Sequence, residues 1–313
     1  MPGDFYVRPE APDPVLAQDV ALGLARRHVP NARAVTGVDE SGGEARTYAI
    51  DDGIILKTQR PQQLRPRTSL EKEVFFLNQI AERAPDLSVP RVLGYGHEGP
   101  LIEYTVMTRM SGVALRHAVL DPAARRQVVH ALGRTLRRIH ALPQDPFVRS
   151  ELFPGDHAFV DVRIRFGRYF GDLADEVRYE GLPWTFPLTP EQVGARALAA
   201  LPRTSERVAL HSNPYLEHVF VHPNTGAYSG LIDFGDAFTS HPACDLRRWT
   251  LPADREALLQ GYTADGPVSD DFLATWRVLR IFTDAMIMAY YADRAPERAA
   301  EATADLERLL AEL

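Results

Sequence analysis

Cysteine and lysine are nearly absent from this 313-residue chain. Cys244 stands alone, which excludes an intrachain disulfide and a cysteine-based zinc site. No apolar run approaches the ~20 residues needed to cross a bilayer. The opening "MPGDFYVRPEAPDP" has neither the basic nor the apolar region of a secretion signal, so the expectation is a cytoplasmic protein without a membrane partner. No G-x-x-x-x-G-K-[ST] occurs, which removes the P-loop nucleotide site. Net positive charge is also missing. A formal charge of −7 argues against nucleic acid and suits a cationic small molecule, although mild acidity is common in soluble proteins. Lys57 and Lys72 are the only lysines among 35 basic residues. A GC-rich coding sequence would explain the arginine bias, but it leaves Lys57, at the end of an apolar strand, as a candidate phosphate ligand.

What is present reads as two lobes, because 313 residues exceed one comfortable core. The boundary falls near residue 110, with a hinge at about 107–112. After a helix over residues 15–28, "ARAVTGVDE" and "EARTYAID" predict a hairpin turning at Ser41-Gly42-Gly43, and "GIILKTQR" a third strand. A Pro- and Arg-rich loop precedes "LEKEVFFLNQIAER", an amphipathic helix, and "PRVLGYG" and "PLIEYTVMTRMSG" add two strands. Beyond residue 111 the pattern turns helical. "DPAARRQVVHALGRTLRRIHAL" opens on Asp121 as N-cap with Pro122 in its first turn. Residues 143–190 predict irregular chain with one short helix. Further helices at "TPEQVGARALAAL", "DREALLQGYT" and "DDFLATWRVLRIFTDAMIMAYYADR" run to the C-terminus. The fold class expected is α+β, with a small antiparallel-sheet lobe carrying one helix and a larger helical lobe containing one hairpin.

Two glycine and histidine patterns compete for a nucleotide. "GYGHEG" fits G-x-G-x-x-G, but Pro100 and a β-rich run follow where a dinucleotide fold needs a helix, so it reads as a hairpin turn. The second pattern is "LHSNPYLEHVFVHPNTGAYSGLIDFGDAF". His211, Asn213 and His218 fit H-x-[DN]-x-x-x-x-[NH], and "IDFGD" follows across a short hairpin, with Asp233 fifteen residues after His218. Phosphoryl transfer needs one group to orient the attacking hydroxyl, metal ligands on a hairpin, and a lysine for the phosphates. Lys57 on the third strand and Glu73 on the next helix complete that set. Each piece alone has a structural reading; their order and spacing together carry the argument.

With these residues in place, the chain resembles the aminoglycoside phosphotransferase family of small-molecule kinases, which share the protein-kinase-like fold. The likeness covers about residues 30–250 and includes "RVLGYG", "VMTRMSG", "LGRTLRRIHAL" and "IDFGDAFTSHPACDL". It implies ATP or GTP as co-substrate, Mg²⁺, and a hydroxylated and cationic acceptor such as an aminoglycoside, in a monomer or dimer. By resemblance Lys57 binds phosphates, Glu73 orients it, and the main chain from Thr108 to Met110 meets the adenine; Ser41, in the Ser41-Gly42-Gly43 turn, belongs either to a phosphate-covering loop or to a plain hairpin turn. Asp233 and His218 stand at the metal positions, with Asp236 as a further metal-shell carboxylate or a loop cap. His211 reads as a support of the hairpin, and Asp245 as a brace for the loop. Asp271 and Asp284 are candidates for the acceptor site, among the acidic residues Asp270, Asp271, Asp284 and Asp293.

The chain departs from the family twice. His218 replaces the usual metal-binding Asn, as in one subgroup, and imidazole suits Mg²⁺ poorly. Asn213 stands where the family keeps its catalytic Asp. Either an Asp has been exchanged there in an otherwise intact kinase, or the chain is a nucleotide-binding relative with little turnover.

Overall fold

The computed structural model describes residues 12–40, 42–60 and 69–313. Ser41 and most of the Pro- and Arg-rich loop lie outside the described residues.

The small lobe is a five-stranded antiparallel sheet in the order β1-β2-β3-β5-β4. Its strands are β1 (Val35–Asp39), β2 (Ala45–Ile50), β3 (Ile54–Gln59), β4 (Val92–Glu98) and β5 (Ile102–Thr108). Successive side chains alternate between the faces of a strand, and the two faces bury different partners. Tyr48, Ile50, Leu56, Tyr104 and Val106 pack with Ala21, Leu24 and Ala25 of α1 (Gln18–Arg26). Ile55 and Met107, one residue out of phase with that set, join the core that includes Phe76, Leu77 and Ile80 of α2 (Leu70–Arg83). The helix expected over residues 15–28 and the amphipathic helix of "LEKEVFFLNQIAER" thus cover the sheet, one on each face. Gly94 and Gly96 lie within β4 and only Gly99, at φ +59°, serves the turn, so "GYGHEG" is mainly strand.

From β5 the chain passes to β6 (Val113–Ala114), which pairs with β8 (Val219–Val221) of the large lobe. Gly112, at φ +101°, makes that passage possible: a Cβ there would lie 2.1 Å from the Val221 carbonyl oxygen. The large lobe holds α3 (Pro122–His140), α4 (Asp145–Arg149), α5 (Phe159–Tyr179), α6 (Pro190–Ala199), α7 (Pro252–Thr263), α8 (Asp270–Tyr291) and α9 (Pro296–Ala311). Asp121 caps α3 as expected, accepting from the amides of Ala123 and Ala124. The helix expected to be short in the irregular segment is α5, 21 residues long. Its apolar face, with Val162, Phe166, Phe170 and Leu173, is interrupted by charge often enough to mask its length in the sequence. The single expected hairpin is also larger: β8 and β9 (Tyr228–Leu231) form a three-stranded sheet with β6, and β7 (Val208–Leu210) pairs with β10 (Phe238–Ser240).

Candidate active site

Lys57 sits at the centre of a network that joins the lobes. Strand alternation buries Leu56 and Thr58 on the α1 face and turns Lys57 to the other. There its Nζ donates to Glu73 Oε2 at 2.8 Å and to Asp233 Oδ1 at 2.7 Å. Glu73 lies on the buried face of α2 with Phe76, Leu77 and Ile80, where a carboxylate is tolerated only if paired. Its second oxygen accepts from the Phe234 amide at 3.3 Å. Phe76 meets the Phe234 ring at 4.9 Å between centroids, so apolar packing holds α2 against the "IDFG" segment alongside the charges.

The hairpin delivers the rest. Val219 pairs with Leu231, and the Ile232 amide donates to the His218 carbonyl at 3.0 Å, which sets His218 beside Asp233 despite the fifteen residues between them. His218 Nε2 lies 3.2 Å from Asp233 Oδ2, and its Nδ1–H donates to the Asn213 carbonyl at 2.8 Å. With both ring nitrogens facing oxygen acceptors, the imidazolium form is favoured. Burial opposes that charge, but the Asp233 carboxylate outweighs it and holds the His218 pKa above the ordinary imidazole value. Burial likewise works against charge on Lys57, and Asp233 and Glu73 overcome it and raise its pKa. The crowded surroundings of Asp233 favour its neutral acid, yet Lys57 and His218 pull it well below the carboxylate range. For Glu73 burial prevails and the pKa is raised, with Lys57 offsetting part of the effect.

Asp245 holds the loop from behind. Its carboxylate accepts from the amides of His211 and Ser212 at 2.8 and 2.7 Å, and lies 3.0 Å from His140 Nε2. His211 is fully buried; its Nε2–H donates to the Ile232 carbonyl at 2.8 Å while Nδ1 accepts from the Asn213 amide at 3.2 Å. Burial pushes its pKa down to about 4, so it is a neutral cross-brace between loop and hairpin. Ser212 at φ +81° and Asp233 at φ +72° are both left-handed non-glycine residues, a backbone strain that collects at functional sites.

Asn213 is half-buried at the end of this loop, and its Oδ1 accepts from Arg248 Nη1. Arg248 and its neighbour Arg247 were not singled out in the sequence. The signal was there in "CDLRRW": residues that follow the loop-bracing Asp245 must lie close to what Asp245 braces.

Of the main chain from Thr108 to Met110, two amides are taken. Thr108 N–H donates to the Arg91 carbonyl and Arg109 N–H to that of Gly53, leaving the Met110 amide without a partner among the described residues. The donor set fits Mg²⁺ only in part. Asp233 offers a carboxylate on a side chain 39% open, whereas the imidazole of His218 suits Mg²⁺ poorly and faces oxygen acceptors at both nitrogens. Among the described residues no group of three or more His, Cys, Asp or Glu could hold a metal ion. Asp236 is half-buried in the turn that follows Asp233.

The acidic candidates do not converge here. Asp284 is fully buried, 2.5 Å from Arg255 Nη1, with Arg280 and Asp305 around the same cluster, so its assignment to an acceptor site is corrected. Asp271 is exposed at the start of α8, and its charge acts on Glu206, at the end of β7 opposite to Asn213. Asp270 and Asp293 are also exposed, at the two ends of α8.

Solved structures with this fold span nearly the whole chain. A GDP and kanamycin complex of APH(2")-IIia aligns with a TM-score of 0.60 at 14% identity, covering 93% of this chain and 98% of its own. A macrolide 2'-phosphotransferase type I gives 0.56 at 20% identity, with 92% and 96% covered. The macrolide 2'-phosphotransferase MphH of Brachybacterium faecium gives 0.56 at 18%, with 92% and 98% covered. At such identities these likenesses speak for the fold. Among curated proteins none matches the chain by sequence. The model of the phosphotransferase enzyme family matches residues 36–282, a span that holds both the Lys57 network and the Asn213 loop, and the chain belongs to that family.

Proposed function

We propose that this protein binds a magnesium nucleotide, ATP or GTP, between its lobes as an O-phosphotransferase scaffold for a hydroxylated small molecule, and that Asn213 holds its turnover low. The observation that carries this reading is Lys57 bridging Glu73 and Asp233 across 16 and 176 residues of sequence. Of the two carboxylates on Lys57, Glu73 is 2% exposed and Asp233 is 39% open to solvent. Phosphates entering beside Asp233 would meet Lys57 already ionised and aimed, and the Met110 amide, without a partner among the described residues, offers a donor for a nucleobase. A metal bound there would neutralise phosphate charge, with Asp233 as its protein ligand.

Asn213 would accept a hydrogen bond from an acceptor hydroxyl through Oδ1 but would not take its proton. General-base catalysis contributes roughly 10²–10⁴-fold. The amide therefore allows positioning and withholds the base.

Calorimetric titration with Mg·ATP and Mg·GTP tests the reading. Lys57→Ala and Asp233→Ala should each weaken nucleotide binding by tenfold or more. Binding as tight as the parent's in both variants would remove the kinase-like site. A second reading, a nucleotide-binding protein without turnover, draws on the hydrogen bond from Arg248 to Asn213, which occupies the acceptor atom a hydroxyl would need.

A further inference from the structure

Arg248 is a half-buried arginine with no carboxylate partner among the described residues. Four other interior arginines pair with carboxylates: Arg46 with Asp13 at 3.0 Å, Arg125 with Asp254 at 2.7 Å, Arg165 with Asp156 at 2.7 Å and Arg255 with Asp284 at 2.5 Å, whereas the half-buried Arg207 and Arg298 have no carboxylate partner among the described residues. Among the described residues neither Arg247 nor Arg248 has a carboxylate within 4.0 Å. Arg248 donates to the neutral amide of Asn213, and Arg247 lies over the Tyr169 ring at 4.7 Å. Both are half-buried. Burial, and then the charge of Arg247, depress the Arg248 pKa; Glu217 and Asp236 offset this from beyond contact distance. Two adjacent cations thus stand at the acceptor end of the loop, where the residue between them and the nucleotide carries no charge.

We infer that the acceptor carries an anionic group, a carboxylate or a phosphate, close to its reacting hydroxyl, and that Arg248 with Arg247 is its binding site. The inference rests on the function proposed above. A planar guanidinium matches carboxylate and phosphate oxygens two at a time, and a half-buried one that meets only a neutral amide gains from such a ligand. Binding would also draw Arg248 off Asn213 and release Oδ1 for the hydroxyl. A polycation would bring like charge against both arginines, while the acidic residues suited to it, Asp271 and Asp284, lie at the far end of β7 and in a buried cluster.

The test is calorimetry on the full chain saturated with Mg·ADP, so that the Lys57 site is filled. The probes are glycerate (a hydroxy-carboxylate), glucose 6-phosphate, glucose as the neutral control and kanamycin as the polycation. One or both anionic probes should bind, with their ranking assigning carboxylate or phosphate, and Arg248→Gln should weaken that binding tenfold or more. Arg247→Gln should weaken it less and provides a second variant if the first fails to fold. Nucleotide affinity should change by less than about threefold in both. Kanamycin or glucose binding as tightly as the anions, anion affinity indifferent to both substitutions, or no anion binding at millimolar concentration would each overturn the inference. Those results, with nucleotide binding intact, leave the proposed function standing; loss of nucleotide binding in the parent removes the function itself.

Discussion

Two aspartates, Asp233 and Asp284, each sit between two cations, and they do opposite things. Asp284 is 0% exposed and lies in a closed cluster with Arg255, Arg280 and Asp305 that ties α7, α8 and α9 together. Asp233 leaves 39% of its side chain open, is held at positive φ on an irregular segment, and joins β3 of one lobe to β9 and the loop of the other. Closed charge clusters fix helices. An open one, assembled from both lobes, has room for a ligand. The pKa directions agree: burial, against the pull of Arg255, pushes Asp284 up, whereas Lys57 and His218 carry Asp233 far down.

Replacing each aspartate by alanine sharpens this contrast. Asp284→Ala should cost about 3–5 kcal/mol of unfolding free energy, because it leaves the buried Arg255 with only the more open Asp305 as partner, and should leave nucleotide affinity unchanged in the variant that still folds. Asp233→Ala should destabilise less than Asp284→Ala, because Lys57 keeps Glu73 as a partner, and should remove most nucleotide binding. Urea denaturation and calorimetry on the same two variants read both effects. If Asp233→Ala proves the more destabilising, the open network is structural and the contrast is lost.

Asn213→Asp probes the open network further. It should raise kcat by roughly 10²-fold with any accepted substrate and keep nucleotide affinity within a fewfold. Equal and robust turnover in both forms would mean that residue 213 is not the base position. No turnover in either would favour the nucleotide-binding reading. In the aspartate form Arg248 would gain a charged partner, so anion binding at Arg248 should weaken in parallel.

The smallest effect concerns acid. His241 is buried, its Nε2 makes no hydrogen bond among the described residues and lies 3.8 Å from Glu206 Oε2, and burial pushes its pKa down to about 3 from an ordinary 6.5. The unfolded chain then binds the extra proton, so stability falls as pH drops from about 6.5 toward 3. His211, at about 4, acts in the same direction. His241→Asn keeps an acceptor for the Ala243 amide and should reduce the loss of Tm between pH 7 and pH 5. An unchanged slope would show that His241 does not carry its share of the acid sensitivity.

The sequence alone determined the order of the elements and the chemistry-bearing positions that depend on local pattern. Strand periodicity placed Lys57 on β3, helical periodicity placed Glu73 on α2, and hairpin spacing put His218 beside Asp233, because these relations repeat every two or 3.6 residues or close over one turn. Tertiary structure decided everything that depends on which surfaces meet. It took Asp284 out of the acceptor site and made it the partner of Arg255, on a different helix. It gave His218 two oxygen neighbours, which favour protonation of the ring over donation of a lone pair to a metal. It also brought Arg248 onto Asn213 across 35 residues, a contact with no periodic signature. Charge is visible in a sequence, but whether a charge is paired, buried or open to a ligand depends on residues far away along the chain.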